Sequence, residues 1–431
     1  MPQRYKILSP AVLAIMALAL TSELLSQPAT LLRVDEDTKP APLATTRQTL
    51  KMRSGLLGSP ELVSFFDSLA RLGSSQDAVH VVHFGDSHTA ADDLTGALRK
   101  LLMDRFGNGG SGFSFAGRPF PGYRRFDAQA GGSPGWRTVG LPIGSGDSYL
   151  GLGGLGISTN RASESVYIET SCDKLEIHFL QQTDGGELAL YDQDARITTF
   201  STAGPAGPGI FSAPCSAGPH KFYLRTLEAR PVRLFGWVAD RSRGITYEAL
   251  GINGTEASIM LRWDVPMLTT YLRSRNPRLI VLAYGTNEAL HSQGRADEYG
   301  KMFSAVLRRL RLASPSAAIL VLGPPDSWVT SRANTYRFPG LDDVIRAQER
   351  ACVENSCAFW NTMDRMGGRG SMPRWVGGGL AQPDHVHFTP AGYRKLAQTL
   401  FDDLLVEYER FLVVRQSILY SDVTNRVRHL R

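Results

Sequence analysis

A chain of 431 residues that is 42% hydrophobic and 20% charged is long enough for one large or two medium domains with real cores, and too apolar to be disordered throughout. Its 47 basic against 41 acidic residues leave a net charge of +6, too small an excess to argue for nucleic acid. No basic stripe interleaved with aromatics and no zinc-finger spacing occurs, so the charge supports only a weak attraction to acidic polymers or membrane surfaces.

In chain order, Arg4 and Lys6 precede the apolar run Ala11 to Leu20, and Ser22 and Glu23 follow it. Residues 1–25 read as a secretory signal peptide or a short signal anchor. The run is short for a transmembrane helix, and it has no clean small-x-small cleavage site. Either way the expectation is an exported, periplasmic protein, with inner-membrane anchoring by the N-terminus left open. A polar tether is expected over 26–53. A helix over 59–72 then leads to the almost wholly apolar strand Ala78 to Phe84, a pattern that suits a parallel strand covered on both faces. Leu94, Leu98, Leu101 and Leu102 make the i, i+4, i+7, i+8 stripe of an amphipathic helix, with Phe106 beyond it.

From Gly107 glycine dominates, and the hydrophobic period shifts towards two through VYIET, KLEIHFL, ELALYD, KFYLRTL and PVRLFGWVAD. Short strands at this spacing predict a β-sandwich or jelly roll over 113–240. After Tyr247 an α/β rhythm resumes: the strand RLIVLAYG, a helix, the strand AAILVLGPPD, a helix, the strand-like CAFWNTM, and a closing helix with Thr389 as N-cap and Pro390 in its first turn. The pattern predicts an α/β domain in two parts, 54–112 and 241–412, with a parallel sheet and helices on both faces. A solvated basic tail is expected over 413–431. Four cysteines in an exported chain suggest two disulfides, Cys352 with Cys357 and Cys172 with Cys215, although three connectivities exist. There is no CxxC to argue for redox chemistry.

Four short stretches carry candidate chemistry. In HFGDSHTA, Ser87 sits where a parallel strand ends and a helix begins, the place where open α/β sheets bind ligands. Backbone amides at a helix start favour negative charge there. The competing reading is that Ser87 caps the helix, a task Asp86 or Asp92 can equally perform. In DHVHFTPAGY, Asp384 and His387 can supply a base and the carboxylate that orients it, which a serine hydroxyl needs in order to attack at neutral pH. In AYGTNEA, Asn287 follows a buried strand and can donate to a developing oxyanion, or merely serve a turn. In LGINGTEAS, Gly254, or less favourably Gly251, can present a backbone N–H. No metal site is expected. His80 and His83, three apart on a strand, face opposite sides; His385 and His387 share a loop, but no HExxH accompanies them.

Taken together, Gly-Asp-Ser, Gly, Gly-x-Asn and Asp-x-x-His in this order resemble the SGNH hydrolase superfamily, also called GDSL esterases. The resemblance covers about Leu56 to Phe106 and Ile245 to Leu412. It implies a flavodoxin-like three-layer α/β/α hydrolase fold interrupted by the β-sandwich. It also implies a catalytic triad of Ser87, Asp384 and His387, with an oxyanion hole made by Ser87, Gly254 and Asn287. Within the superfamily, Gly-Asp-Ser-His, with His88 in place of leucine, and the segment ending QPDHVHFT resemble bacterial O-acetylpeptidoglycan esterases, which carry a carbohydrate-binding-like β domain at this place. The resemblance implies removal of O-acetyl groups from a glycan of the cell envelope, with peptidoglycan as partner and no cofactor. A glycan O-acetyltransferase with the same triad and a non-catalytic glycan-binding protein are the alternatives. Trp136, Tyr149 and Trp237 can stack on sugar rings or pack a core.

Overall fold

Val79 and Val81 point to one side of the strand that precedes Ser87, and Val82 and Phe84 to the other. All four are buried, in two different apolar cores, so the strand is covered on both faces. This is the middle of the architecture in the computed structural model, which describes residues 54–73, 78–140, 147–330 and 335–429. The expected signal or anchor (1–25) and tether (26–53) lie outside the described residues. Among the described residues no helix is long and apolar enough to cross a membrane.

The main sheet has six strands: β1 (Leu56–Leu57), β2 (Ala78–Gly85), β3 (Gly244–Gly251), β4 (Leu279–Ala283), β5 (Ala318–Leu322) and β6 (Ala358–Trp360). Their order in space is β1-β6-β5-β4-β2-β3. All neighbours are parallel except β1, which runs antiparallel along the edge of β6. Counting only the parallel strands in chain order, the sheet reads 2-1-3-4-5, the flavodoxin-like order. Helices α1 (Val63–Arg71), α2 (Ser87–Ala90) and α3 (Asp93–Phe106) follow β1 and β2. Helices α4 (Val265–Arg275), α5 (Ala296–Ala313) and α6 (Leu341–Glu354) follow β3, β4 and β5, and α7 (Pro390–His429) closes the chain. Apolar side chains of α1, α3 and α7 fill the core on one side of the sheet, and those of α4, α5 and α6 fill it on the other. The fold is therefore the three-layer α/β/α form with an inserted β domain. The tail expected after Leu412 is instead a continuation of α7 to His429.

Between α3 and β3 the chain builds two antiparallel sheets, one of five strands and one of six, enclosing a core that includes Ile168, Ile177, Leu190, Phe222 and Trp237. Trp237 is fully buried there, and Trp136 packs against the same core while its indole N–H donates to the Ser165 carbonyl at 3.0 Å. Tyr149 is partly buried against the core on the α4–α6 side. The insert is packed on the α/β body rather than hung from it. The Tyr271 hydroxyl of α4 donates to the Phe179 carbonyl at 2.7 Å, and the Tyr271 ring stacks on His178 with centroids 4.7 Å apart.

A buried charge cluster closes this junction. Arg275, at the end of α4, donates to Asp240 at 2.7 Å, to Glu248 on β3 at 3.1 Å and to His80 Nδ1 on β2 at 2.8 Å. Burial, helped by the Arg275 charge, pushes His80 down to about 3, so it stays a neutral acceptor. His83 faces the other way, bonded to the Tyr247 hydroxyl at 2.8 Å and to Thr89 at 3.3 Å, so the two histidines do not converge.

The two expected disulfides are absent, since all four cysteines are free thiols. Cys352 is buried on α6, and Cys357 Sγ turns to the Asn355 carbonyl instead. Cys172 and Cys215 do approach, with sulfurs 3.4 Å apart. Removing one member of a buried ionic cluster strands the others. Arg275→Met is therefore expected to lower stability by about 3–5 kcal/mol in urea unfolding, far more than the loss of an exposed arginine.

Candidate active site

Parallel strands end on the same edge of a sheet, and three of the four stretches singled out in the sequence leave from that edge: Ser87 after β2, Gly254 after β3 and Asn287 after β4. The crevice between β2 and β4 is where the strand order reverses, the usual ligand site of such sheets. Gly85 is required there for close approach. A Cβ on it would lie 2.1 Å from Thr89 Oγ1 and 2.9 Å from the Ala283 carbonyl. The helix after Ser87 is a single turn. Asp92 then adopts a left-handed conformation (φ 60°), and α3 starts afresh at Asp93. The macrodipole of a long helix does not bear on Ser87, and what remains is the amides of one turn.

Asp86 is the cap of α2, accepting from the His88 amide at 2.9 Å. That leaves the Ser87 hydroxyl free for another partner, and it lies 3.0 Å from His387 Nε2. His387 Nδ1 is 2.7 Å from Asp384 Oδ2. Since a carboxylate only accepts, Nδ1 carries the proton and Nε2 presents its lone pair to the serine. Asp384 Oδ1 accepts from the amides of Val386 and His387, both at 2.9 Å. Burial alone would raise the Asp384 carboxyl, but the His387 ring and these two amides outweigh it and hold the group below its ordinary range. The side chains of His387 and Asp384 are 39% and 49% exposed, so water reaches the site.

Gly254 and Asn287 belong to one local unit. The Asn287 amide donates to the Thr255 carbonyl at 2.9 Å, and its second N–H is not needed for that bond. Gly254 is exposed with φ 71°, and a Cβ there would meet nothing within 4 Å. Gly251 lies inside β3, buried, where a Cβ would stand 2.3 Å from the Ala90 amide nitrogen. Gly251 is a packing glycine, and Gly254 is the one that borders open space.

Several residues without an assigned task support this arrangement. His88 is buried; its Nδ1 lies 3.0 Å from the Tyr393 hydroxyl, and its ring centroid is 5.3 Å from that of His387. Burial, and next the charge of His387, push His88 down to about 3, so it stays neutral beside His387. His385 has φ 57° and bonds Thr330 at 2.7 Å, while its carbonyl accepts from the Trp328 amide at 3.0 Å. The antiparallel strand pair Trp328–Thr330 and Thr335–Arg337, a short hairpin, thereby pins the loop that carries Asp384 and His387. Fully buried Asp326 anchors the hairpin, accepting from Arg337 at 2.7 Å and from the Trp328 indole at 3.0 Å. The adjacency of His88 to Ser87 and the spacing of Tyr393 in TPAGY were the available sequence signals; Asp326 left none.

Residues 215–395 match the model of the GDSL-like Lipase/Acylhydrolase family, a span that holds Gly254, Asn287, Asp384 and His387. Ser87 lies outside it, on the far side of the inserted strands. No curated protein matches the chain. A solved structure of a peptidoglycan O-acetylesterase is similar at 26% identity and a TM-score of 0.69, over 82% of this chain and 98% of that one. A family two carbohydrate esterase from Clostridium thermocellum, solved with cellohexaose, aligns at 12% identity and a TM-score of 0.31, over 58% of this chain and 94% of that one.

The neutral, buried His88 gives a signed prediction. The unfolded chain protonates it below pH 6.5, whereas the folded chain does so only near 3, so its contribution to stability falls as pH drops through that interval. His88→Leu removes the effect. Relative to wild type, the variant should gain about 1.4 kcal/mol per pH unit below 6.5, or about 2 kcal/mol between pH 7 and pH 5, measured by urea unfolding at both values.

Proposed function

The chain is an ester hydrolase of the SGNH superfamily, and from that premise we propose that it removes O-acetyl groups from a cell-envelope glycan, O-acetylated peptidoglycan, through an acetyl-enzyme on Ser87. The observation that carries the reading is the unbroken chain Ser87–His387–Asp384, at 3.0 and 2.7 Å. We read residues 54–112 and 241–412 as the hydrolase body, 113–240 as the inserted β domain, and the exported side of the cell envelope as the place of action.

The chemistry follows from the proton positions. His387 Nε2 takes the Ser87 proton as Oγ attacks the acetyl carbonyl, and the developing imidazolium is stabilised by Asp384. The amides of Ser87 and Gly254 and the free N–H of Asn287 donate to the oxyanion. His387 then protonates the departing sugar oxygen. Water enters from the exposed side, is deprotonated by the same nitrogen, and releases acetate. Every step uses side chains and backbone of this chain and needs no cofactor. The solvent exposure of His387 and Asp384 favours water over a sugar hydroxyl as the final acceptor.

Acetate release from O-acetylated peptidoglycan and from a small acetyl ester tests the proposal. Wild type should act on both and Ser87→Ala on neither, with the mutant melting at the wild-type temperature. Asn287→Ala should keep its fold and lose about 10²–10³ in kcat. Acetyl groups appearing on an acceptor glycan in place of free acetate would instead establish a transferase. Hydrolysis confined to the small ester would keep the mechanism and reject the substrate.

A further inference from the structure

Among the described residues, a second grouping of reactive side chains lies in the β-sandwich. The antiparallel register pairs Cys172 with Gly218 and Thr170 with His220, so Cys172 and His220 face the same side of the sheet on neighbouring strands, Ser165–Cys172 and Gly218–Thr226. On the next strand, Glu187–Asp192, Asp192 pairs with Phe222 and shares that side. Cys215 reaches in from the loop before Gly218. The two sulfurs are 3.4 Å apart, Cys215 Sγ is 3.6 Å from His220 Nε2, and the three ligand-type atoms all lie within 4.8 Å of one another.

The histidine is oriented for a ligand. Its Nδ1 donates to Asp192 at 2.7 Å, and its ring stacks on Phe222 with centroids 4.8 Å apart. Nε2 therefore points at the sulfurs. It also lies 2.8 Å from the Ser216 carbonyl, a contact the ring gives up when that nitrogen takes a metal. A carboxylate holding the outer nitrogen of an imidazole is the usual outer partner of metal-bound histidine. Tetrahedral zinc with Zn–S of about 2.3 Å sets neighbouring sulfurs about 3.7 Å apart, close to the spacing seen. A disulfide would use Cys172 and Cys215 but would leave the approach of His220 Nε2 to Cys215 Sγ, at 3.6 Å, unused.

We propose that Cys172, Cys215 and His220 bind zinc, with a fourth position open to water and Asp192 as the outer carboxylate. The site lies on side chains separate from the Ser87 machinery and would fasten the 214–217 loop to the sheet.

The test uses the full chain, purified with a non-thiol reductant, stripped of metal and titrated with cobalt(II). One equivalent should give thiolate-to-cobalt absorption, zinc should displace it, and zinc should raise the melting temperature. Asp192→Asn, which keeps all three ligands, should weaken binding about 10–100-fold. Cys215→Ser and His220→Ala should abolish the thiolate band's tetrahedral signature, while Ser87→Ala should bind like wild type. Binding by His220→Ala as tight as wild type would overturn the proposal. So would the absence of a cobalt–thiolate band with four titratable thiols, or isolation of Cys172 and Cys215 as a disulfide that excludes metal.

Discussion

A serine hydroxyl is too weak an acid to attack an ester at neutral pH without a base at hydrogen-bond distance. In the mechanism proposed above, the contact between Ser87 and His387 meets that need across 300 positions of sequence. Everything else in the molecule can be arranged by its relation to this bond. The parallel sheet fixes Ser87 at the end of a strand that is covered on both faces. The loop before α7 delivers His387 from the other side, with Asp384 set by two amides and His385 tied to the hairpin. A shift of either element by an ångström would break the chain of protons, and effective catalysis depends on such positioning.

The strand order explains why residues so far apart meet. In a 2-1-3-4-5 sheet the first and third parallel strands are neighbours, and their following loops diverge to leave a crevice. Ser87 and Asn287 leave from those two strands, and Gly254 from the strand on the outer side of β2. The hydrogen bond from Asn287 to the Thr255 carbonyl joins the second and third loops, so both oxyanion candidates move as one piece. The sandwich adds no residue to this constellation. It is tied to the body in part by Arg275, which joins α4 to the last strand of the insert and to β2 and β3.

Much of this was legible in the sequence because the signals are local. Strands buried on both faces read as continuous apolar runs, and Ser87, Asn287, Asp384 and His387 stand beside glycines, turns and strand ends that mark loops. The cap of α2 was ambiguous between three residues, because any of them can accept from an amide; only the backbone path decides for Asp86. The break at Asp92 was hidden because the leucine stripe of α3 continues the helical period up to it. The extent of α7 beyond Leu412 is hidden in the sequence because the chain there ends in the basic run NRVRHLR, and charged composition does not distinguish a solvated helix from a solvated tail. His88 and Arg275 act through partners 305 and 35 residues away, and Asp326 through an arginine 11 residues on, and no spacing rule says that these pairs meet. The cysteines show the opposite failure. An even count suggested bonded pairs, yet Cys352 and Cys357 stay unbonded, with Cys357 Sγ turned to the Asn355 carbonyl.

The position of the insert also governs the order in which the molecule can assemble. The chain enters and leaves the sandwich side by side, with Gly109 donating to the Ile245 carbonyl at 3.0 Å and Arg241 donating to Gly109 at 2.7 Å. β2 emerges early in synthesis, but both of its sheet neighbours, β3 and β4, lie beyond the sandwich. Until everything from Asp86 to Arg243 has been made, this largely apolar strand has two bare edges. Long-range parallel pairing of this kind is slow and exposed to aggregation. An early-folding sandwich would shorten that interval, because closing it brings Gly109 and Arg241 together and delivers β3 directly to the waiting edge of β2.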